Sequence, residues 1–526
     1  MPEVIIAGGG VAGLSAAHRL LEQGFDVTLF EANDYLGGKL GAIFESRTGD
    51  FHEHCYHMYL SWYHNFWALM DEIGAREHFV PMSTFGCLKP DQYGEHYEVM
   101  DLGAPSTALR NIFSGVMHPA DMFIYGCSLL DLIGTTPIRG NTLERTSVLG
   151  FMTSRLYNTP EAMTGSTRTL AEAFACPSYL SSARSYKSLL KYGFRRPSPS
   201  MWLLAGNTQE CLFGPWRAHL EKYAGKGWGK LDIRPLKSVQ QLCVSADGRI
   251  VRILVADMPH SLPPNRGAIV EPVGGDWLPV NGDLVLAIPP RQLADLISFE
   301  VAALASNLAD VRRLRCEPMI SLTVPFKRKL SDIPIGITVL LDSRYELSFL
   351  DQSQIWRNSD GNTLLNVVAS DADTLVDFTE GEIVQLFLRE LRRFIEFTED
   401  DVARERLYVQ TNVGKELFVN QVGSWGYRPQ TTCDIANLYI AGDFCQNVVD
   451  VVTIEGAVVS GLNAARAVCD RYGYGEAIAI TEPDSYPEAP LAAMALAGLP
   501  FAYAAKAIST GDRVLRRAYA SLFPNG

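Results

Sequence analysis

A short histidine-rich stretch, FHEHCYHMYLSWYHN from Phe51 to Asn65, contains several side chains that bind metals or move protons. It holds four of the ten histidines, namely His52, His54, His57 and His64, together with Glu53 and Cys55. Imidazole, thiolate and carboxylate groups are ligands for zinc and iron, and they also serve as acids and bases. The stretch therefore either holds a metal ion or lines a site of another kind.

The sequence favours the second interpretation, and we expect no metal here. In an extended strand His52 and His54 share one face while His57 takes the other, so the imidazoles do not converge. The remaining six histidines are dispersed, and no carboxylate–histidine pair at helical spacing accompanies them. The stretch is also aromatic, with Tyr56, Tyr59, Trp62, Tyr63, Phe66 and Trp67. Such residues wall the site of an apolar ligand, or they pack in the core of the protein.

The first forty residues indicate a second kind of chemistry. Gly8, Gly10 and Gly13 fit the G-x-G-x-x-G spacing between an apolar strand and a helix. These glycines permit a tight turn, close approach of a pyrophosphate and close packing of the helix on the sheet. Glu31 follows Gly10 by 21 residues, where a carboxylate accepts the hydroxyls of a ribose without a 2′-phosphate. The pattern predicts an α/β fold with a Rossmann-like domain that binds a dinucleotide.

Two further glycine-containing segments indicate which dinucleotide is bound. LGGKL follows the ribose carboxylate, and an AGD turn with Gly442 and Asp443 ends a buried strand near the other end of the chain. The helix that starts near Glu455 offers its positive end to an electron-rich ring. Because both terminal segments need glycine at strand ends, one long cofactor shared between them is expected, and FAD fits that span better than NAD.

The composition limits which binding partners and which cellular compartment are expected. The formal net charge of −13 argues against a nucleic-acid partner, since phosphate binding needs a basic face. Ten cysteines without a C-x-x-C pair indicate reduced thiols in the cytoplasm. No signal peptide is expected before the first strand, and no uncharged apolar run reaches the roughly 20 residues that span a bilayer. We expect a cytoplasmic protein that is soluble or peripheral on a membrane surface.

The motifs resemble those of the FAD-dependent carotenoid desaturases of plant and cyanobacterial type, which act on phytoene and zeta-carotene within the flavin amine oxidase superfamily. EANDYLGGKLGA is similar to that family's E-A-x-D-x-L-G-G-K, and GDFHEHCYH to its G-D-W-x-E-x-G-x-H. TIEGAVVSG resembles its M-E-G-A-x-x-S-G, and Arg428 keeps the family distance before A-G-D. The chain departs from the family at Cys55, where the family has glycine, and at Cys211 and Thr432, where it has arginine.

The resemblance implies a domain organisation and a set of cofactor contacts. Residues 1–75, 205–290 and 426–475 are expected to form the FAD-binding domain. Residues 76–204 and 291–425 are expected to form an inserted α+β substrate domain, with membrane-facing helices near 105–136. Residues 476–526 are expected to form a C-terminal amphipathic tail. The residues expected at the cofactor are Gly8, Gly10, Ala12, Gly13, Glu31, Ala32, Gly38, Lys39, Val239, Gly442, Asp443, Glu455, Gly456 and Ala457.

The resemblance also implies a reaction and its candidate catalytic residues. A hydride from an allylic carbon of a long apolar isoprenoid would pass to the flavin, and a neighbouring carbon would lose a proton. His57 and Tyr63 would position the substrate chain, and Arg428 would stabilise a carbanion-like or quinone partner. Glu455 would serve as a base, or it would only cap its helix. A membrane quinone or oxygen would reoxidise the flavin.

The C-terminal tail has two interpretations. Lys506, Arg513 and Arg517 share one helical face, whereas Ile508 and Leu515 lie on another. A basic amphipathic helix of this kind lies at an anionic membrane surface, or it docks on the body of the protein.

Other functions fit the same scaffold. An amine or amino-acid oxidase would need a smaller polar pocket, which the apolar 105–136 segment disfavours. A carrier that binds an isoprenoid without turnover, or an isoprenoid isomerase, saturase or dehydroxylase, also fits. The sequence does not fix the substrate, the number of double bonds introduced or the oligomeric state.

Overall fold

A computed structural model describes residues 2–100, 105–135, 142–165, 176–193, 199–259, 271–412, 416–474, 478–484 and 487–522. The other residues of the predicted domains, including residue 136 of the apolar segment and 523–526 of the tail, lie outside the described residues. The strands are β1 (Glu3–Ala7), β2 (Asp26–Phe30), β3 (Ile43–Glu45), β4 (Asp50–His52), β5 (Tyr59–Leu60), β6 (Phe79–Met82), β7 (Thr84–Leu88), β8 (Tyr97–Met100), β9 (Met201–Leu204), β10 (Leu231–Arg234), β11 (Lys237–Val244), β12 (Ile250–Asp257), β13 (Val273–Pro279), β14 (Asp283–Leu286), β15 (Cys316–Glu317), β16 (Ile320–Pro325), β17 (Ile337–Leu340), β18 (Leu347–Asp351), β19 (Leu364–Ala369), β20 (Tyr408–Thr411), β21 (Leu417–Phe418) and β22 (Leu438–Ile440).

The α-helices of the described residues come between and after these strands. They are α1 (Val11–Glu22), α2 (His64–Glu72), α3 (Pro105–Ile112), α4 (Pro119–Ile133), α5 (Val148–Thr153), α6 (Ala183–Gly193), α7 (Gly214–Tyr223), α8 (Pro290–Leu296), α9 (Phe299–Leu304), α10 (Ser306–Ala309), α11 (Glu380–Leu391), α12 (Ile454–Arg471) and α13 (Glu488–Leu522).

A five-stranded parallel sheet in the order β10-β2-β1-β14-β22 carries the glycine turn. Its strands come from three distant parts of the chain, so the sheet brings the two ends of the sequence together. Both faces are covered, as a parallel sheet requires. Val4 and Ile6 of β1 pack with α1 and α12, while Ile5 and Ala7 point to the opposite face, towards the antiparallel sheet β11-β12-β13.

A second, seven-stranded sheet in the order β20-β16-β19-β18-β17-β7-β8 forms the other half of the molecule. Its strands alternate in the same way. Leu340 and Val367 pack in the core that includes residues of α11, while Val339 and Val368 line a large cavity on the other face. The sheet is therefore one wall of that cavity.

Helices α4 and α13 pack against each other along the surface. Ser509 Oγ lies 2.8 Å from both carboxylate oxygens of the buried Asp121, to which it can donate one hydrogen bond. A Cβ atom on Gly134 would lie 2.7 Å from the backbone of Ala492, so the two helices are in close contact there. Within the described residues, Glu488–Tyr519 is long and apolar enough to cross a membrane, and only 11% of its most apolar window is buried.

Candidate functional site

The glycine turn between β1 and α1 forms a bare backbone cradle. Gly8 adopts φ +105°, and a Cβ there would lie 2.3 Å from the Ala287 carbonyl oxygen, so only glycine fits. Gly10 is the N-cap of α1 and faces Gly37 and Gly38 across a narrow gap, where a Cβ would meet nothing closer than 3.7 Å. A side chain at Gly10 would project into this gap, which fits a pyrophosphate beside the helix N-terminus.

Glu31 lies just beyond the end of β2 and ties the cradle to that strand. Its carboxylate accepts the backbone N–H of Gly9 at 2.7 Å, and the backbone and side-chain N–H groups of Asn33 at 2.9 and 2.8 Å. Glu31 also lines the large cavity beside Gly8 and Gly10. The carboxylate is thus fixed at the edge of the cradle, in the position that a ribose contact requires.

The opposite end of the sequence completes the cradle. Lys39 Nζ lies 3.2 Å from Asp443 Oδ2, and the N–H of Gly442 donates to Ser460 Oγ at 2.7 Å. Thr453 caps α12, whose first residues line the cavity. The positive end of α12 therefore faces the cavity. The sequence did not reveal the pairing of Lys39 with Asp443, because the two residues are 404 positions apart.

Most of the predicted site residues line one cavity of about 1880 Å³. They are Gly8, Gly10, Ala12, Glu31, Ala32, Gly38, Lys39, Val239, Gly442, Asp443 and Ala457 among the predicted cofactor residues, with His57 and Tyr63 among the predicted catalytic residues. Gly13 and Gly456 do not line it. Gly13 instead lets α1 approach the turn, since a Cβ there would lie 1.9 Å from the Gly8 carbonyl oxygen.

Glu455 points away from the cavity, so the interpretation as a base at the flavin does not fit its placement. The fully buried carboxylate accepts the backbone N–H groups of Asn65 and Phe66 at 2.9 Å each, and Asn65 Nδ2 at 2.7 Å. It therefore joins α12 to the N-terminus of α2. Burial raises the pKa of Glu455 to about 7, although these three donors act in the opposite direction.

The placement of Arg428 also does not fit its predicted role in stabilising a carbanion-like or quinone partner. Its buried guanidinium donates to the carbonyl oxygens of Phe444 and Cys445 at 2.9 and 2.8 Å and to Asp450 at 3.1 Å, and it does not line the cavity. With all three nitrogens engaged, Arg428 holds the loop after Asp443 in shape. Sequence spacing identified an important arginine, but it did not show the direction of the side chain.

The histidine-rich stretch does not follow strand alternation. Its start is extended in β4, where the buried ring of His52 stacks on Tyr408 at 3.9 Å, and it becomes extended again only in the short β5. Burial lowers the pKa of His52 to about 4, so this ring is neutral at pH 7. Beyond β4 the chain turns, and His54 and His57 come to the same side. The expectation that these two imidazoles face apart is therefore wrong.

His54, Cys55 and His57 form a compact group in the cavity wall. One side-chain ligand atom from each lies within 4.8 Å of the others, and Cys55 Sγ is 3.6 Å from His57 Nε2. Burial raises the pKa of the Cys55 thiol, but His54 and His57 outweigh it and lower the pKa to about 6. Burial lowers the pKa of His57, whereas Cys55 and Glu53 raise it to about 10.

The cavity continues far beyond the glycine cradle, and its distant part is apolar. It passes Tyr56 and Met58, follows β17 and reaches α4 and the start of α13. The lining residues of this part include Phe85, Val99, Met201, Ile337, Val339, Met122, Phe123, Leu129, Leu130, Ile133, Leu491 and Met494. The sequence did not assign α13 to the cavity, because only tertiary packing brings residue 491 beside residue 134.

The geometry is that of a flavin-dependent oxidoreductase, and the chain belongs to the flavin containing amine oxidoreductase family, which it matches over residues 11–173 and 271–469. It is similar to the 15-cis-phytoene desaturase of Solanum lycopersicum, with 24% identity over 89% of this chain and 78% of the relative. It is also similar to the 15-cis-phytoene desaturase of Synechococcus elongatus, with 24% identity over 89% of this chain and 96% of the relative. The zeta-carotene desaturase of Synechocystis is 23% identical over 88% of this chain and 96% of the relative.

Solved structures show the same fold at lower identity. The cyclohexylamine oxidase of Brevibacterium oxydans superposes with a TM-score of 0.59 at 16% identity, over 90% of this chain and 99% of that chain. Putrescine oxidase superposes with a TM-score of 0.61 at 14% identity, over 90% of this chain and 99% of that chain. The predicted α/β fold with its Rossmann-like domain is therefore confirmed, as are the resemblance to carotenoid desaturases and the assignment as a flavin-dependent oxidoreductase.

Proposed function

We propose that this protein is an FAD-dependent dehydrogenase that introduces double bonds into a long apolar isoprenoid of the carotenoid class. The observation that carries the proposal is the single cavity that joins the glycine cradle to a long apolar arm between α4 and the seven-stranded sheet. An amine is small and polar, and it would leave most of this apolar arm unfilled.

FAD, rather than a shorter flavin, is supported by the extent of the cradle. Glu31 and Val239 lie at one end, where an adenosine would bind, and Asp443 and the N-terminus of α12 lie at the other. Gly10 and Gly38 leave room for a pyrophosphate between these ends. The bound flavin supplies the hydride acceptor, and the protein supplies orientation and the exclusion of water.

His57 and Tyr63 are the residues that we expect to position the substrate. Both line the cavity, where Tyr63 packs edge to face with Trp62 at 4.7 Å. Tyr56 is fixed by donating its hydroxyl to Ser348 at 2.6 Å, so the aromatic wall is rigid on the side of the seven-stranded sheet. A rigid aromatic wall holds an extended polyene in one register, which determines the bond that faces the cofactor.

The protein is proposed to sit peripherally on a cytoplasmic membrane surface, where its substrate dissolves. Met494, Phe501, Ile508 and Leu515 recur every seven residues along α13, and each is more than half exposed. Residues at this spacing lie on one helical face, so the four form an apolar stripe next to the arm of the cavity. Ala502, Ala505 and Ser509, which lie along the edge of this stripe, are buried against the protein.

The basic residues of α13 contribute less to the proposed membrane-facing surface than the sequence indicated. Lys506 donates to the Leu156 carbonyl oxygen at 2.6 Å and Arg513 pairs with Glu161, so both face the protein body. Arg516 pairs with Asp512 within α13 itself. Membrane contact is therefore proposed to rest on the apolar stripe rather than on the basic residues.

Product analysis tests the substrate class. The flavin-loaded protein is incubated with liposomes containing a phytoene-type polyene, and in parallel with a panel of amines and amino acids. Dehydrogenation lengthens the conjugated system, so the polyene product absorbs at longer wavelength and separates from its substrate on chromatography. Desaturated polyene supports the proposal. Oxidised amine without polyene product assigns the protein to the oxidase class instead.

A further inference from the structure

The group formed by His54, Cys55 and His57 has a geometry that neither flavin binding nor an apolar substrate requires. We propose that these three residues form a binding site for a borderline-soft transition-metal ion, with zinc as the reference ion. The observations behind this proposal are the positions of three donor atoms and one carboxylate, and they do not depend on the substrate class. His57 is also expected to position the substrate, so the ion would lie at the wall of the substrate cavity.

The distance between two of the donors matches a metal site. In a tetrahedral zinc site a thiolate sulfur lies about 2.3 Å and an imidazole nitrogen about 2.0 Å from the ion, which places the two ligand atoms about 3.5 Å apart. Cys55 Sγ and His57 Nε2 are 3.6 Å apart. The third donor, on His54, lies within 4.8 Å of both, so a small rotation of its side chain brings it to the ion.

A carboxylate lies beside one of the imidazoles, within ion-pair distance but beyond hydrogen-bond distance. His57 faces Cys55 through Nε2, while its other ring nitrogen, Nδ1, lies 3.7 Å from Glu53 Oε2. The same carboxylate accepts the backbone N–H of Thr208 at 2.9 Å through Oε1, which fixes its position. A carboxylate beside the distal nitrogen of a ligand histidine sets the tautomer and strengthens the metal bond.

The site faces the cavity rather than the protein interior. His54, Cys55 and His57 all line the cavity, so three protein ligands would leave the fourth position open to a water molecule or to an oxygen atom of a ligand. Open three-ligand sites of this kind are typical of reactive zinc centres, whereas structural zinc sites are closed by four protein ligands. One thiolate and two imidazoles favour zinc or copper over magnesium or calcium.

X-ray absorption at the zinc edge tests the proposal directly, because flavin absorbance does not interfere with it. The flavin-loaded protein is stripped with a chelator, titrated with zinc and measured. We expect one zinc per chain, with one sulfur neighbour near 2.3 Å and two nitrogen neighbours near 2.0 Å. A zinc spectrum without sulfur, or no zinc above one-tenth of an equivalent, overturns the proposal.

Variants separate this site from adventitious binding. Cys55→Ser and His54→Gln should each weaken zinc binding more than Glu53→Gln, for which a change of roughly 10–100-fold is expected. Cys127→Ser is the matched control, since Cys127 lines the same cavity at α4 but lies outside the group. Flavin content reports folding in each variant. Equal zinc affinity in Cys55→Ser, His54→Gln and Cys127→Ser contradicts the proposal.

Discussion

Lys39 Nζ lies 3.2 Å from Asp443 Oδ2 and thereby joins the second glycine segment to the AGD turn. The two residues are 404 positions apart, and both line the cavity next to the glycine cradle. The ion pair joins two backbone segments that line the flavin-binding part of the cavity. Because the pair is partly exposed, its own energy is modest, but its position couples the two ends of the chain.

Asp443→Asn should weaken flavin binding by about tenfold, which corresponds to roughly 1.4 kcal/mol. The substitution leaves Lys39 without its carboxylate and loosens the AGD turn. Flavin fluorescence during titration of the stripped protein measures the change. Glu221→Gln removes the exposed ion pair with Arg217 on α7 and should leave flavin affinity unchanged. Equal affinities for the Asp443 variant and this control would show that the pair does not shape the site.

Two glycines of the turn should respond differently to the same change. Gly10→Ala should fold with a loss of about 1 kcal/mol or less, as expected for alanine at a helix start, yet bind flavin much more weakly. Gly13→Ala should fail to fold properly, because its Cβ would lie 1.9 Å from the Gly8 carbonyl oxygen. Thermal unfolding and flavin content of both variants provide the comparison. Full flavin content in Gly10→Ala would place the pyrophosphate elsewhere.

Glu455 predicts a pH-dependent contribution to stability. Its carboxyl group has a pKa near 4.5 in the unfolded chain and about 7 in the folded protein. Between these values the unfolded state loses the proton first, so this group lowers the free energy of unfolding as pH rises from 4.5 to 7. The expected change is on the order of 3 kcal/mol.

Glu455→Gln should remove that slope, although the absolute stability of the variant differs from that of the parent chain. Urea unfolding of both proteins across pH 4.5–7.5 measures it, and the difference between the two curves isolates Glu455 from other titrating groups. Parallel curves would mean that Glu455 is already ionised in the folded protein at low pH, held by the N–H groups of α2.

The apolar stripe on α13 predicts how the protein binds vesicles. Phe501→Asp combined with Ile508→Asp should reduce co-sedimentation with liposomes at least about tenfold, since burial of each side chain contributes roughly 1.5–3 kcal/mol. Binding of the parent chain should change little between low and moderate salt, because Lys506 and Arg513 contact the protein body. Val273→Asp, at an exposed position on β13, is the control. Strong salt dependence would instead assign binding to the basic residues.

Local patterns predicted the cradle well, because its chemistry is contained in short segments. The spacing of Gly8, Gly10 and Gly13, followed by Glu31, dictates a strand, a turn, a helix and a second strand regardless of the rest of the chain. The structure places Gly8, Gly10 and Glu31 on the cavity, and Gly13 at the contact between helix and turn.

Side-chain direction and long-range contacts could not be predicted in the same way. The types of Glu455 and Arg428 suggested chemistry, but both point away from the cavity and stabilise neighbouring backbone. The turn after β4 brings His54 and His57 together, and no residue in that stretch signals it as a glycine or proline would. Likewise, the pairing of α13 with α4 depends on packing between segments more than 350 residues apart in sequence.

Anaerobic reduction of the bound flavin distinguishes dehydrogenation of a polyene from oxidation of an amine. The flavin-loaded protein is mixed without oxygen with phytoene-type polyene in liposomes, and separately with amines and amino acids, while the yellow absorption band is followed. We expect that the polyene alone bleaches the band, and that a quinone or oxygen then restores it. Bleaching by amines but not by the polyene would contradict the proposed dehydrogenase function and make the apolar arm of the cavity irrelevant to turnover.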